Sequence, residues 1–184
     1  MTSDAVPAVG RMLFRLRSWT PIPLVVGTIV RADPSFRVVV WALPAILTGL
    51  LVRLWAVTWI GPESRTRSDA PPAVRITGGP YRMFRHPLYV GNGLLSAGLV
   101  AMSGAGRPWL TILFPLLWLL QYGPVIAWEE RQLEGVPRGR GTRPGFGIDA
   151  AWRSERRTRQ SVIGFMLAIV VSGVVRAIRS RRRV

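Results

Sequence analysis

The sequence predicts an all-α integral membrane protein with about five membrane helices in one multi-pass domain over 1–184. Three observations predict it. First, the 49% hydrophobic content is gathered into long blocks. Second, the arginines fall almost entirely between those blocks. Third, the connections are rich in Pro and Gly, which end helices. A helix needs roughly 20 apolar residues to cross a hydrocarbon core of about 30 Å. Residues 38–60, VVVWALPAILTGLLVRLWAVTWI, meet this with a single charge, Arg53. Residues 108–128, PWLTILFPLLWLLQYGPVIAW, meet it with none.

Taken in order, the first helix is predicted over about 12–30, kinked at Pro21 and Pro23. RADPSF turns the chain at Asp33-Pro34, and the second helix runs over about 36–60. Residues 61–86 form a polar connection. The third helix runs over about 87–103, GAGR turns the chain, and the fourth runs over about 108–130. Residues 131–157 form a second polar connection, with a short helix from Asp149. The fifth helix, about 158–178, contains SVIGFMLAIVVSGVV, which is apolar on every face and so is not a surface amphipathic helix. The units are an N-terminal hairpin over 1–60, a core motif over 75–134, a connector over 135–157, and a last helix with an arginine-rich tail over 158–184. No internal repeat is visible. MTSDAVPAVGRMLF carries Asp4 and no cleavage-site pattern, unlike a signal peptide.

All 25 basic residues are arginine, and the formal net charge is +16. No soluble basic module accompanies that charge, which argues against nucleic acid as partner. Arginines flanking apolar blocks set topology and touch anionic headgroups instead. Alternation places the N-terminus and both long connections on one side with 16 arginines, against eight on the other. The positive-inside rule makes that side cytoplasmic, in a bacterial-type inner membrane. The tail RAIRSRRRV opposes this rule if the fifth helix spans. The absence of cysteine excludes disulfides, thiolate zinc sites and cysteine-held clusters, and a lone histidine excludes an all-histidine site; no metal is expected.

Two polar clusters abut helix ends on the predicted cytoplasmic side. One is GPYRMFRHPLYVGN, residues 79–92, which holds the chain's one histidine, His86. Pro87 suits a first helical turn and biases His86 away from helix. Gly91, Gly93 and Gly98 would let a ligand or a neighbouring helix approach. The other cluster is WEER, residues 128–131. The Glu129–Glu130 pair closes an apolar helix, where acids are unfavourable unless cations meet them. Arg82, Arg85, Arg131 or a cationic ligand could do so. Taken singly, each residue has an ordinary reading: Tyr81, Tyr89, Trp109 and Trp128 as interfacial aromatics, the acids as a solvated helix end. Taken together on one face, they suggest a polar pocket between the third and fourth helices and the segment that follows.

This pattern resembles the integral-membrane methyltransferases related to isoprenylcysteine carboxyl methyltransferase and the phospholipid methyltransferases. Gly79, Pro80, Tyr81, Arg85, His86, Pro87, Tyr89 and Gly91, then Glu129 and Glu130 after a hydrophobic hairpin, carry it over about residues 40–134. The resemblance implies S-adenosylmethionine as methyl donor, bound at the cytoplasmic face. It places Tyr81, His86, Pro87, Tyr89, Gly91, Asn92, Glu129 and Glu130 around the donor, with Arg85 and Glu130 in catalytic roles. The implied acceptor is a lipid, or a prenylated or amphiphilic molecule, entering from the bilayer. Where relatives continue with Phe-Gly and spaced tyrosines, this chain has LEGVPRGRGTRPGFG, which implies a shortened donor lid. The alternatives are an NADPH-dependent membrane reductase of the sterol type and a non-catalytic lipid-binding protein of the same fold. The reductases tend to carry downstream Cys and Lys, which this chain lacks.

Overall fold

The computed structural model describes residues 5–17, 19–61, 74–106, 109–139 and 145–182. The helices are α1 (Ala5–Leu16), α2 (Ile22–Val30), α3 (Phe36–Ile60), α4 (Pro80–Met83), α5 (Pro87–Ser103), α6 (Trp109–Gln132), α7 (Ile148–Ser154) and α8 (Arg156–Arg181). Two short strands, β1 (Arg75–Ile76) and β2 (Arg138–Gly139), pair in parallel, with Arg75 opposite Arg138 and Ile76 opposite Gly139.

Among the described residues, α3, α6 and α8 are long and apolar enough to cross a membrane. Their outer faces carry Trp41, Leu51, Ile112, Leu120 and Leu167 in the open, as lipid-facing surfaces do. The helix expected over 12–30 is instead two helices. Pro21 caps α2 and Pro23 sits in its first turn, so the prolines start a new helix rather than kink an old one. The short helix expected from Asp149 is present as α7.

The core is the crossing of α3 and α5, built on Ala42, Ile46, Leu95, Leu99 and Met102, with Val162 of α8 against it. Small residues let these backbones approach. A Cβ at Gly49 would lie 2.7 Å from Leu95 N and 2.8 Å from Gly91 O, and one at Gly98 would lie 2.6 Å from Ile46 Cγ1. In lipid, helices associate through such close packing. On the other flank α1 lies across α6, where Gly10 faces the Pro124 carbonyl and Phe14 packs on Trp128 at 4.8 Å. Trp128 is therefore buried, contrary to its expected interfacial place; the α1 packing takes it out of the surface. Trp109 is exposed.

The bundle has two distinct ends. At one, the C-termini of α3 and α6, the N-terminus of α5, and the β1–β2 pair come together. The pairing joins the two long connections on one face, the side on which the sequence placed both. At the other end α2 meets α8, with Ser172 Oγ donating to Ile29 O at 2.7 Å, and Asp33 N donates to Ser103 O at 2.7 Å.

Candidate functional site

The site is assembled where α5 begins and α6 ends. Pro87 occupies the first turn of α5 and is buried. Its predecessor His86 is held outside the helix at φ −131°, ψ 69°. That backbone sends the imidazole to the acids closing α6. His86 Nε2 lies 2.7 Å from Glu130 Oε1, and Nδ1 lies 3.4 Å from Glu129 Oε2. One turn into α5, the Tyr89 hydroxyl donates to Glu129 Oε1 at 2.5 Å. The two clusters predicted to meet do meet, through these contacts.

A neutral imidazole donates from one nitrogen only, whereas an imidazolium donates from both. Burial by itself would lower the His86 pKa. Hydrogen bonds and charge from Glu129 and Glu130 outweigh that and raise it above 6.5. The imidazole also lies at the C-terminal end of α6, where the protonated form is favoured over the neutral one. Arg75 is a further cation on the pair, 3.2 Å from Glu130 Oε1, and Arg85 approaches Glu130 Oε2 at 3.9 Å. Arg82, offered by sequence as a partner for the acids, is exposed. Arg75 was missed because it lies outside the motif. β1 carries it to the site: Arg75 N donates to Pro137 O at 2.9 Å, fixing the strand over the end of α6.

Beside these residues is a cavity of about 490 Å³ lined by Arg75, Ile76, Thr77, Tyr81, Arg85 and Arg138. Its volume is in the range of small-molecule sites. Tyr81 comes from α4, which is launched by Gly79 at φ 55° with Trp59 packed where a side chain would stand. The Tyr81 hydroxyl is buried, and no group among the described residues hydrogen-bonds it. Burial raises its pKa, Glu129 adds to the rise, and Arg53 opposes it. A buried hydroxyl without a partner is unusual in a folded protein. Arg85 is 80% exposed at its side chain, so its guanidinium is open to solvent and to ligand.

The remaining sequence candidates have other neighbours. A Cβ at Gly91 would meet Arg53 Cγ at 2.6 Å and Gly49 O at 2.9 Å, so this glycine serves the approach of α3. The Asn92 side-chain oxygen accepts from Arg53 Nη1. Arg53 is the lone charge of its apolar block, roughly two turns before the end of α3. Its Nε and Nη2 donate to the two oxygens of Glu155, each at 2.9 Å, and Nη2 reaches Thr158 Oγ1 at 3.4 Å. The pair is nearly sealed, with side-chain exposures of 12% and 5%. It binds α3 and α5 to the α7–α8 junction. The signal for Arg53 was visible, since an intramembrane charge needs a partner. Glu155 was hidden inside RSERRT, where three arginines surround it and nothing in the sequence ties it to Arg53. An aromatic series, Trp118–Tyr122–Tyr89, with centroids 5.2 Å apart at each step, leads from α6 toward His86.

Residues 38–136 match the family model for phospholipid methyltransferase, more than half of the chain. The chain belongs to that family. It is a methyltransferase family whose members act on lipid-like substrates, and this favours the methyltransferase reading over the membrane-reductase alternative. No significant match exists among curated proteins or among solved structures. The matched segment contains Arg53, Arg75, Tyr81, His86 and both acids. It ends before Arg138 and Glu155, so part of the cavity wall and the partner of Arg53 come from outside it.

Proposed function

We propose that the protein is an S-adenosylmethionine-dependent methyltransferase acting on a lipid-like acceptor, such as an isoprenylcysteine carboxylate or a phospholipid. The observation that carries this reading is the joined cluster of His86, Tyr89, Glu129 and Glu130 beside an arginine-lined cavity. The donor is a zwitterion with a sulfonium, and the residues suit each part. Arg85 and Arg138 offer partners for a carboxylate. The acid pair offers negative charge for the ammonium and sulfonium. The unpartnered Tyr81 hydroxyl gives a buried polar atom for a ligand to satisfy. Pro87 opens the turn of α5 that sets the spacing of His86 and Tyr89, and Gly91 and Asn92 fix that helix against Arg53 of α3.

When bound, S-adenosylmethionine supplies an electrophilic methyl group. The chain's own work is positioning, which can supply most of the rate in such a displacement. Glu129 is oriented from two sides by Tyr89 and His86, and Glu130 by His86, Arg75 and Arg85. Arg85, which lines the cavity, and Glu130, which it approaches, are the groups assigned to orient the acceptor's nucleophile and to manage its proton. The acceptor enters from the bilayer, past exposed apolar helix faces. The arginine asymmetry supports an inner membrane of bacterial type, with the site on the cytoplasmic face.

Calorimetry on detergent-solubilised protein tests the reading. S-adenosylmethionine is expected to bind, and Tyr81→Phe to weaken it about tenfold by removing one buried hydrogen bond. Binding of NADPH with none of S-adenosylmethionine would overturn the proposal.

A further inference from the structure

The end of the bundle opposite the site holds a second cavity, of about 340 Å³, lined by Val30, Ser172, Val175, Arg176, Arg179 and Ser180. Its construction follows from a helix end that needs capping. The last carbonyls of α2 have no intrahelical donors; the turn that follows supplies part of the need, with Ala32 N on Ile29 O at 3.1 Å, and α8 supplies more. Ser172 Oγ donates to Ile29 O at 2.7 Å, and Arg176 Nη2 donates to Val30 O at 2.8 Å. These bonds seat the end of α2 against α8, and a Cβ at Gly173 would meet Pro34 Cδ at 2.7 Å. A groove results between the two helices. Arg176 spends one nitrogen on Val30, which leaves the rest of its fork of donors. Arg179 follows one turn later on the same face. Among the described residues, neither forms an ion pair.

The setting decides what this pair of cations is for. The apolar run of α8 ends at Val175, so Arg176 and Arg179 stand at headgroup level. The apolar part of the cavity lining is exposed and aliphatic: Val30 on α2 and Val175 on α8. Two arginines above an aliphatic groove match a molecule with an anionic head and a hydrocarbon body.

We infer that the α2–α8 groove is a binding site for one anionic phospholipid, with its phosphate on Arg176 and Arg179 and an acyl chain along Val30 and Val175. The site lies in the leaflet opposite the methyltransferase cluster and is independent of the activity proposed above. It also accounts for the arginine-rich tail on the side that the charge rule leaves poor in arginine: lipid phosphate neutralises part of it.

The test uses the full chain in neutral detergent, titrated with phosphatidylglycerol, phosphatidylcholine or glycerol 1-phosphate, and read by thermal shift and native mass spectrometry. Phosphatidylglycerol should be retained as a single adduct and should raise the melting temperature. The other two should do neither. Arg179→Gln should weaken phosphatidylglycerol binding about fivefold. Arg182→Gln, the same charge change outside the cavity, should leave it unchanged. Val175→Trp fills the groove, keeps both arginines, and should weaken binding as well. Equal effects of phosphatidylcholine, or of glycerol 1-phosphate, would overturn the inference. So would equal losses in the Arg179 and Arg182 variants, or wild-type binding in Arg179→Gln and Val175→Trp.

Discussion

Replacing Glu155 by Gln should destabilise the protein by stranding the buried charge of Arg53. The substitution keeps the size of the side chain and removes its charge. Arg53 then loses a carboxylate that took two hydrogen bonds at 2.9 Å, in a place where the pair is only 12% and 5% exposed. Breaking a buried pair by neutralising one partner costs about 3–5 kcal/mol. Gln keeps one acceptor, which places this change near the lower end, about 3 kcal/mol. For a chain of this size 1 kcal/mol moves the melting temperature by roughly 2–4 °C, so the expected drop is roughly 6–12 °C. Melting followed by the loss of the monodisperse peak in detergent would measure it. The double variant Arg53→Met, Glu155→Met should recover part of that loss, since an apolar pair carries no stranded charge. Recovery should be incomplete, because Arg53 also donates to Asn92. A Glu155→Gln protein melting within about 2 °C of wild type would refute the reasoning.

Other outcomes follow from the packing and the charges. Because its pKa is raised above 6.5, His86 contributes stability that is full below about pH 6.5 and is lost as pH rises through the raised value. Melting curves should therefore show the advantage of wild type over His86→Gln shrinking toward alkaline pH; parallel curves would count against the His86–glutamate contacts. Gly49→Ala forces a Cβ to within 2.7 Å of Leu95 N and should lower stability by about 1–3 kcal/mol, whereas Gly27→Ala, with nothing within 4 Å, should be neutral or slightly stabilising. Tyr81→Phe removes a hydroxyl that has no partner among the described residues, so melting without ligand should be unchanged or raised.

Much of this arrangement was legible in the residues. The apolar blocks located α3, α6 and α8 because length and hydropathy are sufficient for that purpose. The meeting of His86 with Glu129 and Glu130 followed from a short turn between α5 and α6, which obliges helix ends on one face to approach. Pro21 and Pro23 were read as a kink where they start a helix. A proline in an apolar run is compatible with either, and only the packing of α1 on α6 and α2 on α8 decides. Arg75 could not be read, since its role depends on a two-residue strand pairing that leaves no periodic trace. Glu155 could not be chosen from the chain's nine acidic residues without knowing where α8 begins. Gly91 was read as room for a ligand or a neighbouring helix, and it is the helix α3, with Arg53, that fills the space beside it. A glycine signals close approach without naming what approaches.

The pairing of β1 with β2 has a consequence for biogenesis. Arg75 and its partner Glu130 are 55 residues apart, with α4, α5 and nearly all of α6 between them. Arg138, opposite Arg75 in the strand register, is synthesised later still. While the ribosome is making α5, the wall of the cavity therefore consists of loose cationic chain at the membrane surface. The site comes into being only after α6 has been inserted and its carboxylates have returned to the starting face. A failure to insert that hairpin would leave Arg75 and His86 without their counter-charges, on an otherwise anchored protein. Assembly of the pocket is thus a late event, completed only when the chain as far as Arg138 has been made.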